Sequence, residues 1–245
     1  MMPVMDPEED ARALVTARFP AARASFLGGG VLSARRTPTS DLDIVIVVDG
    51  TQPPYRESLI WRTWPVELFV QHPSTIGDWF AKDRARRRPT LARMCADGVI
   101  LTDTDGTATV VRDQARAVLA AGSPPLERSE LDRCRYGLTD LLDDLAGSSD
   151  PGETALICWY VLRETAELAL LIRGNWLGSG KWLLRKLRAA QLRWPRSSSK
   201  PATTRPGWRA SPMASSPWPA AGSGLATTRS GSCSQPASDA APGRR

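Results

Sequence analysis

Apolar positions in the first half of the chain follow helical spacing at first and strand-like runs afterwards. Asp6, followed by Pro7, supplies a capping carboxylate and a proline at the first helical position, which predicts a helix to about residue 19. Short apolar or β-branched runs bounded by turn residues predict strands at 24–27, 44–48, 64–70 and 99–101. Helical spacing returns over residues 74–88. This order predicts a sheet flanked by helices, with the strands at 44–48 and 64–70 as neighbours.

The second half of the chain is expected to be helical. Apolar residues recur at helical spacing, separated by Gly, Ser, Asp and Pro breaks, over residues 127–146, 153–173 and 181–191. The expected fold class is therefore α+β: a mixed sheet flanked by helices, followed by a small helical domain. We place the sheet domain at residues 1–122 and the helical domain at residues 123–193.

The last segment, residues 194–245, has a different composition. Ser, Pro, Ala, Thr, Gly and Arg dominate it without periodicity, so it offers little apolar surface to bury and is expected to be a disordered tail. Trp194, Trp208 and Trp218 nevertheless fall in it, and its start interrupts a helical pattern. A frameshift in the gene is our hypothesis for this end of the chain.

The positive charge of the chain is concentrated in that tail. The formal charge is +6 at pH 7, yet residues 1–193 hold 25 Lys and Arg against 25 Asp and Glu. A neutral globular part does not favour a nucleic-acid partner.

No feature of the sequence indicates a membrane or an export signal. The N-terminus is acidic, at Asp6, Glu8 and Glu9, where a secretory signal would have a basic start and an apolar run. The most apolar helical pattern, at 155–172, is interrupted by charged residues, which does not fit a membrane span. A cytoplasmic location is the expectation.

Paired carboxylates mark the candidate chemistry. Asp41 and Asp43 stand two residues apart at the start of a predicted strand, so their side chains project from one face. Carboxylates held this close repel each other unless a cation lies between them, and Mg²⁺ suits such hard oxygen ligands. Glu67 is a charged residue inside an otherwise apolar predicted strand. If the two strands are neighbours, Glu67 joins the same cluster.

Three glycines precede the carboxylates. Gly28, Gly29 and Gly30 follow a predicted strand, where they let the backbone approach a ligand and present N–H groups to phosphate. Arg35 and Arg36, in the loop that follows, are candidates for steadying phosphate charge. Such a site suits attack of a hydroxyl on the α-phosphorus of a nucleoside triphosphate, with pyrophosphate leaving.

The glycine run, together with Thr39-Ser40-Asp41-Leu42-Asp43 and the β-branched strand behind it, resembles the signature of the polymerase-β-like nucleotidyltransferases. The resemblance is to small bacterial members related to aminoglycoside (kanamycin-type) nucleotidyltransferases, which suggests a link to antibiotic resistance. It covers residues 26–70 and continues more loosely to about 193. It implies Mg²⁺ on the two aspartates, Glu67 as third ligand or base, and a helical domain that helps bind the acceptor. The sequence does not show which nucleobase is used, and ATP is the expected triphosphate. The family usually has Ser where this chain has Gly30.

The acceptor is left open by the sequence. A small-molecule hydroxyl, aminoglycoside-like or other, is the leading expectation, and a protein hydroxyl, as in a protein AMP-transferase, is an alternative. A non-catalytic or antitoxin-like member that binds a protein partner is another alternative.

Further charged residues receive structural interpretations. The basic cluster at 84–88 is interpreted as a solvated helix end, and the Gly-Ser-Gly-Lys run at 178–181 as a helix-capping turn. Glu164 and Glu167 share a helix face and are expected to form ion pairs with Arg163 and Lys181, with a place in the acceptor cleft as the alternative. Asp140, Asp143 and Asp144 are interpreted as surface acids, with contact to a cationic acceptor as the alternative.

Overall fold

A computed structural model of the protein describes residues 6–34 and 36–192. The expected tail at 194–245 and the candidate phosphate ligand Arg35 lie outside these residues.

The centre of the fold is a mixed five-stranded sheet. Its strands are β1 (Ala24–Gly28), β2 (Leu42–Val47), β3 (Tyr55–Trp61), β4 (Trp64–Gln71) and β5 (Val99–Asp103). They lie in the order β3-β4-β2-β1-β5, in which β2 and β4 are parallel and all other neighbours are antiparallel. The predicted adjacency of the second and third predicted strands is confirmed by the β2–β4 pair.

In the described part of the chain, four α-helices lie before residue 122 and three more follow it. Those before residue 122 are α1 (Pro7–Arg18), α2 (Ile76–Ala85), α3 (Thr90–Asp97) and α4 (Thr107–Ala120). Those after it are α5 (Arg128–Gly147), α6 (Pro151–Ile172) and α7 (Lys181–Ala189). The expected fold class, a mixed sheet with flanking helices and a following helical part, is confirmed. Within residues 6–34 and 36–192, no helix combines the length and apolarity needed to cross a bilayer.

Each face of the sheet buries a separate apolar cluster. On one face Leu14 of α1 packs with Ile44 and Leu68 of the central strands. On the other face Val45 and Phe69 pack with residues of α2, α3 and α4. Because side chains alternate along a strand, the β-branched residues of β2 pack into the apolar clusters on both faces of the sheet. Asp43 lies on the same face as Val45, at the start of the strand.

Two parts of the sequence prediction are corrected here. The helix expected at 74–88 is α2, and it ends early, at Ala85, because Arg87 takes a left-handed conformation (φ 55°) just before Pro89. The strand β3 and the helices α3 and α4 were not expected. β3 is an edge strand whose sequence, YRESLIW, places three polar residues before three apolar ones, so it lacks the alternation that predicts a strand.

Adjacent arginines join the sheet part to the helical part. Arg87 is 6% exposed and forms a two-pronged ion pair with Glu130 of α5, at 2.7 and 2.8 Å. Its guanidinium also donates to the carbonyl oxygens of Pro124 and Pro125. Arg88 pairs with the buried Glu167 of α6 at 2.7 Å. The interpretation of this basic cluster as a solvated helix end is therefore wrong for these two residues.

Removing one partner of the Arg87–Glu130 pair should destabilise the whole fold. Arg87→Met leaves Glu130 largely buried without a counter-charge, and we expect a loss of about 3 kcal/mol in the free energy of unfolding. Urea unfolding measures this. Adding Glu130→Leu should recover much of the loss, since no unpaired charge then remains.

The matched control is the exposed pair between Arg18 and Glu57. Arg18→Met should change the unfolding free energy by less than about 1 kcal/mol. Equal effects of the two substitutions would show that the Arg87 pair is not a structural joint.

Candidate active site

The parallel pairing of β2 and β4 places the predicted carboxylates side by side. Asp43 is opposite Glu67 in the β2–β4 register and opposite Gly28 in the β1–β2 register. Asp41 immediately precedes β2, two residues before Asp43, and projects to the same side. The strands therefore carry all three acids to one end of the face that α2, α3 and α4 cover elsewhere.

The local electrostatics of Asp43 reflect this crowding. Its pKa rises from the usual 3.8 to about 6, mainly because the carboxyl is partly buried. Repulsion from Asp41 and Glu67 raises the pKa further, while the positive charges of Lys181 and Arg56 lower it. An added cation at this cluster would relieve the repulsion.

The glycine turn lies directly against these carboxylates. Gly29 has φ +80°, and a Cβ atom there would overlap the Asp43 carboxylate. Only glycine meets both demands at this position, because it tolerates the left-handed region and leaves room for Asp43. Gly30 begins a short 3₁₀ turn, and among residues 6–34 and 36–192, its chain neighbours aside, the Lys181 ammonium nitrogen is the one atom within 4 Å of a Cβ built on it.

Lys181 is a site residue that the sequence analysis missed. Its Nζ lies 3.9 Å from the position of a Gly30 Cβ, and its charge acts on Asp43. Gly180 caps the helix that Lys181 begins, as the interpretation of the Gly-Ser-Gly-Lys run as a capping turn expects. That interpretation describes the backbone and assigned no role to the lysine side chain. The lysine itself reaches the glycine turn, more than 140 residues away along the chain.

The loop that carries Lys181 is held by Arg87 and Arg88, the same arginines that join the sheet part to the helical part. Arg88 donates to the Gly178 carbonyl at 2.8 Å and to the Ser179 hydroxyl at 3.1 Å. The Leu177 N–H donates to the Arg87 carbonyl at 2.8 Å. The arginines that hold the helical part therefore also set the path of the loop toward Gly30.

The carboxylates fit a magnesium ion that takes some of its ligands from the protein and the others from a substrate and water. In the described part of the chain, no group of three or more Asp, Glu, His or Cys side chains forms a metal site by itself. Mg²⁺ commonly takes one or two protein carboxylates and completes its octahedron with water and phosphate oxygens. Asp41 and Asp43, beside a glycine turn and a lysine, suit that mode better than a closed three-ligand cage.

The remaining predicted phosphate ligand, Arg36, stacks on an aromatic ring. Arg36 is exposed and stacks over the Trp64 ring, 4.6 Å from its centroid, beside a cavity of about 520 Å³ that also touches Ser40. Its side chain is therefore committed to Trp64 in this structure.

Comparison with known proteins gives a distant likeness only. No protein-family model and no curated protein matches the chain. Among solved structures, the chain is similar to a nucleotidyltransferase-like protein from Exiguobacterium sibiricum, with 14% identity and a TM-score of 0.41. The match covers 76% of this chain and 64% of that protein, so the chain spans under two thirds of the other protein's length.

Asp43 should lower the stability of the metal-free protein at neutral pH. Its pKa is about 6 in the folded protein and 3.8 ordinarily, so the ionised form is disfavoured by folding. The penalty is complete above pH 6 and fades as the pH falls toward 3.8. Asp43→Asn should therefore stabilise the protein at pH 7.5 by about 1–2 kcal/mol, discounted for partial exposure, and bring little gain at pH 4.

Urea unfolding in the presence of a chelator measures this difference. The exposed Asp144→Asn is the matched control and should leave stability nearly unchanged at both pH values. If Asp43→Asn is destabilising at pH 7.5, the assignment of a strained carboxylate cluster is wrong.

Proposed function

We propose that this protein is a magnesium-dependent nucleotidyltransferase that moves a nucleoside monophosphate from a nucleoside triphosphate, with ATP as the expected donor, to an acceptor hydroxyl. The observation that carries the proposal is the contact of a glycine turn with the Asp43 carboxylate, with Asp41, Glu67 and Lys181 grouped around it. This combination supplies metal ligands, phosphate ligands and a proton acceptor within one site. The resemblance of residues 28–47 to polymerase-β-like nucleotidyltransferases supports the same reaction.

Each group has a defined task in the reaction. The acceptor oxygen bonds to the α-phosphorus, the bond from that phosphorus to the bridging oxygen of the pyrophosphate breaks, and pyrophosphate leaves. Glu67, exposed beside Asp43, takes the hydroxyl proton. Lys181 and the backbone N–H groups of the glycine turn hold the negative charge of the leaving group. Mg²⁺ on Asp41 and Asp43 would neutralise charge on the phosphate oxygens.

Substitution of the aspartates tests the proposal. Asp41→Ala and Asp43→Ala should each reduce magnesium-dependent pyrophosphate release from ATP by at least about a thousandfold, because the metal loses a ligand. Release is measured with labelled ATP and a panel of hydroxyl acceptors, including aminoglycosides and proteins, with Asp144→Ala as the exposed-acid control. Turnover that survives in either variant would exclude the assigned metal site. Absence of both ATP binding and turnover in the native chain would favour the non-catalytic alternative.

Gly30 offers a gain-of-binding test. The structure leaves room for a side chain there beside Lys181, and the backbone is outside the left-handed region. Gly30→Ser would add the hydroxyl that the related family usually has, and should tighten Mg·ATP binding by at least about tenfold, the worth of one hydrogen bond to a charged group. Gly30→Ala is the control, since it adds the Cβ without the hydroxyl. Calorimetry that shows equal effects of Ser and Ala would contradict this role for the turn.

A further inference from the structure

A cavity of about 660 Å³ lies between α6 and α7. Its apolar wall is formed by Trp159, Leu162, Leu183 and Leu184. Trp159 and Leu162 are 54% and 49% exposed, although both are large apolar side chains. A volume of this size and an apolar lining are typical of sites for small organic molecules.

The cavity adjoins the candidate active site through one loop. Ser179 and Gly180 line the cavity, and the next residue, Lys181, reaches Gly30 and acts on Asp43. A molecule held in the cavity therefore lies beside the loop that delivers the lysine to the glycine turn. This position suits the acceptor of the proposed transfer.

The charges at the cavity exclude a polycation as its natural ligand. Arg88 and Arg163 both line it. Within the described part of the chain, Glu167 is the one acid in its wall, and both arginines pair with it, at 2.7 and 3.4 Å. Glu164, nearby on α6, faces Arg163 at 3.6 Å, so it too has a counter-charge. A polycationic drug needs several unpaired carboxylates, and this wall offers none.

The acids that could contact a cationic acceptor lie outside this cavity. Asp140, Asp143 and Asp144 of α5 are exposed and do not line the cavity. The cavity instead presents hydrocarbon and an indole ring, with its polar groups satisfied among themselves. Such a surface binds an uncharged ligand through burial of apolar area.

We propose that the cavity between α6 and α7 binds an uncharged small molecule with an apolar or aromatic body and a hydroxyl group, and that this molecule is the acceptor. The acceptor role rests on the proposed nucleotidyltransferase function. The hydroxyl oxygen then displaces pyrophosphate from the α-phosphorus of ATP and gives its proton to Glu67.

The test uses the full chain and 2-naphthol as the probe, with kanamycin as the polycationic comparison. Leu162→Asp places a charge in the cavity wall and should weaken 2-naphthol binding by at least about tenfold in calorimetry. Leu156→Asp is the matched control, because Leu156 lies on the same helix, is 65% exposed and does not line the cavity. It should change binding by less than about twofold. Circular dichroism confirms that both variants are folded.

Titration of Mg·ATP in the same samples separates the two proposals. If ATP binds and 2-naphthol does not, the cavity inference fails alone. If 2-naphthol binds and ATP does not, the proposed function fails and the acceptor role fails with it. Equal loss of 2-naphthol binding in both variants also overturns the inference, as does kanamycin binding to the native chain that Leu162→Asp alters and Leu156→Asp does not. Transfer of labelled AMP to 2-naphthol, lost in Leu162→Asp and kept in Leu156→Asp, is the expected result.

Discussion

Two consecutive arginines hold this structure together, each paired with a carboxylate on a different helix. Arg87 anchors the start of α5 through Glu130, and Arg88 anchors the middle of α6 through Glu167. Buried guanidinium groups are costly to desolvate, so their geometry must satisfy several donors at once, and Arg87 meets this with two carbonyls and a two-pronged pair. The left-handed backbone of Arg87 turns the neighbouring side chains in these different directions. The path of the loop to Lys181 follows from that arrangement.

The carboxylates of the candidate site are carried by this framework at a cost to the stability of the fold. The β-branched run of β2 is buried on both faces and fixes the strand, while the same strand carries Asp43 into a region of like charge. The apolar sheet supplies the stability that tolerates this repulsion. Sites that need strained groups are commonly supported in this way by a rigid element behind them.

The sequence indicated the local parts of this arrangement and missed its long-range parts. Asp41, Asp43 and the adjacent glycines were recognisable because a turn, a polar pair and a buried strand follow one another along the chain. The Arg88–Glu167 pair spans 79 residues, and Lys181 reaches Gly30 from the second half of the chain. Contacts between residues so far apart in sequence are not predicted by periodicity or by a short motif. The strand β3 was missed for the same reason: its residues do not alternate between polar and apolar, and its pairing with β4 defines it as a strand.

The division of the site between the two parts has a consequence for how such a protein diversifies. In the proposed reaction, nucleotide chemistry depends on Asp41, Asp43 and the glycine turn of the sheet part, whereas the cavity wall belongs to α6 and α7. Changes in Leu162 or Leu183 can alter what fits the cavity without touching the carboxylates. The short loop 178–181 is the exception, because it serves both halves. Substitutions on α6 and α7 can therefore change the preferred acceptor of the proposed reaction while the carboxylate site stays the same. Substitutions in the loop 178–181 would affect both the cavity and the position of Lys181, so this loop is expected to vary less.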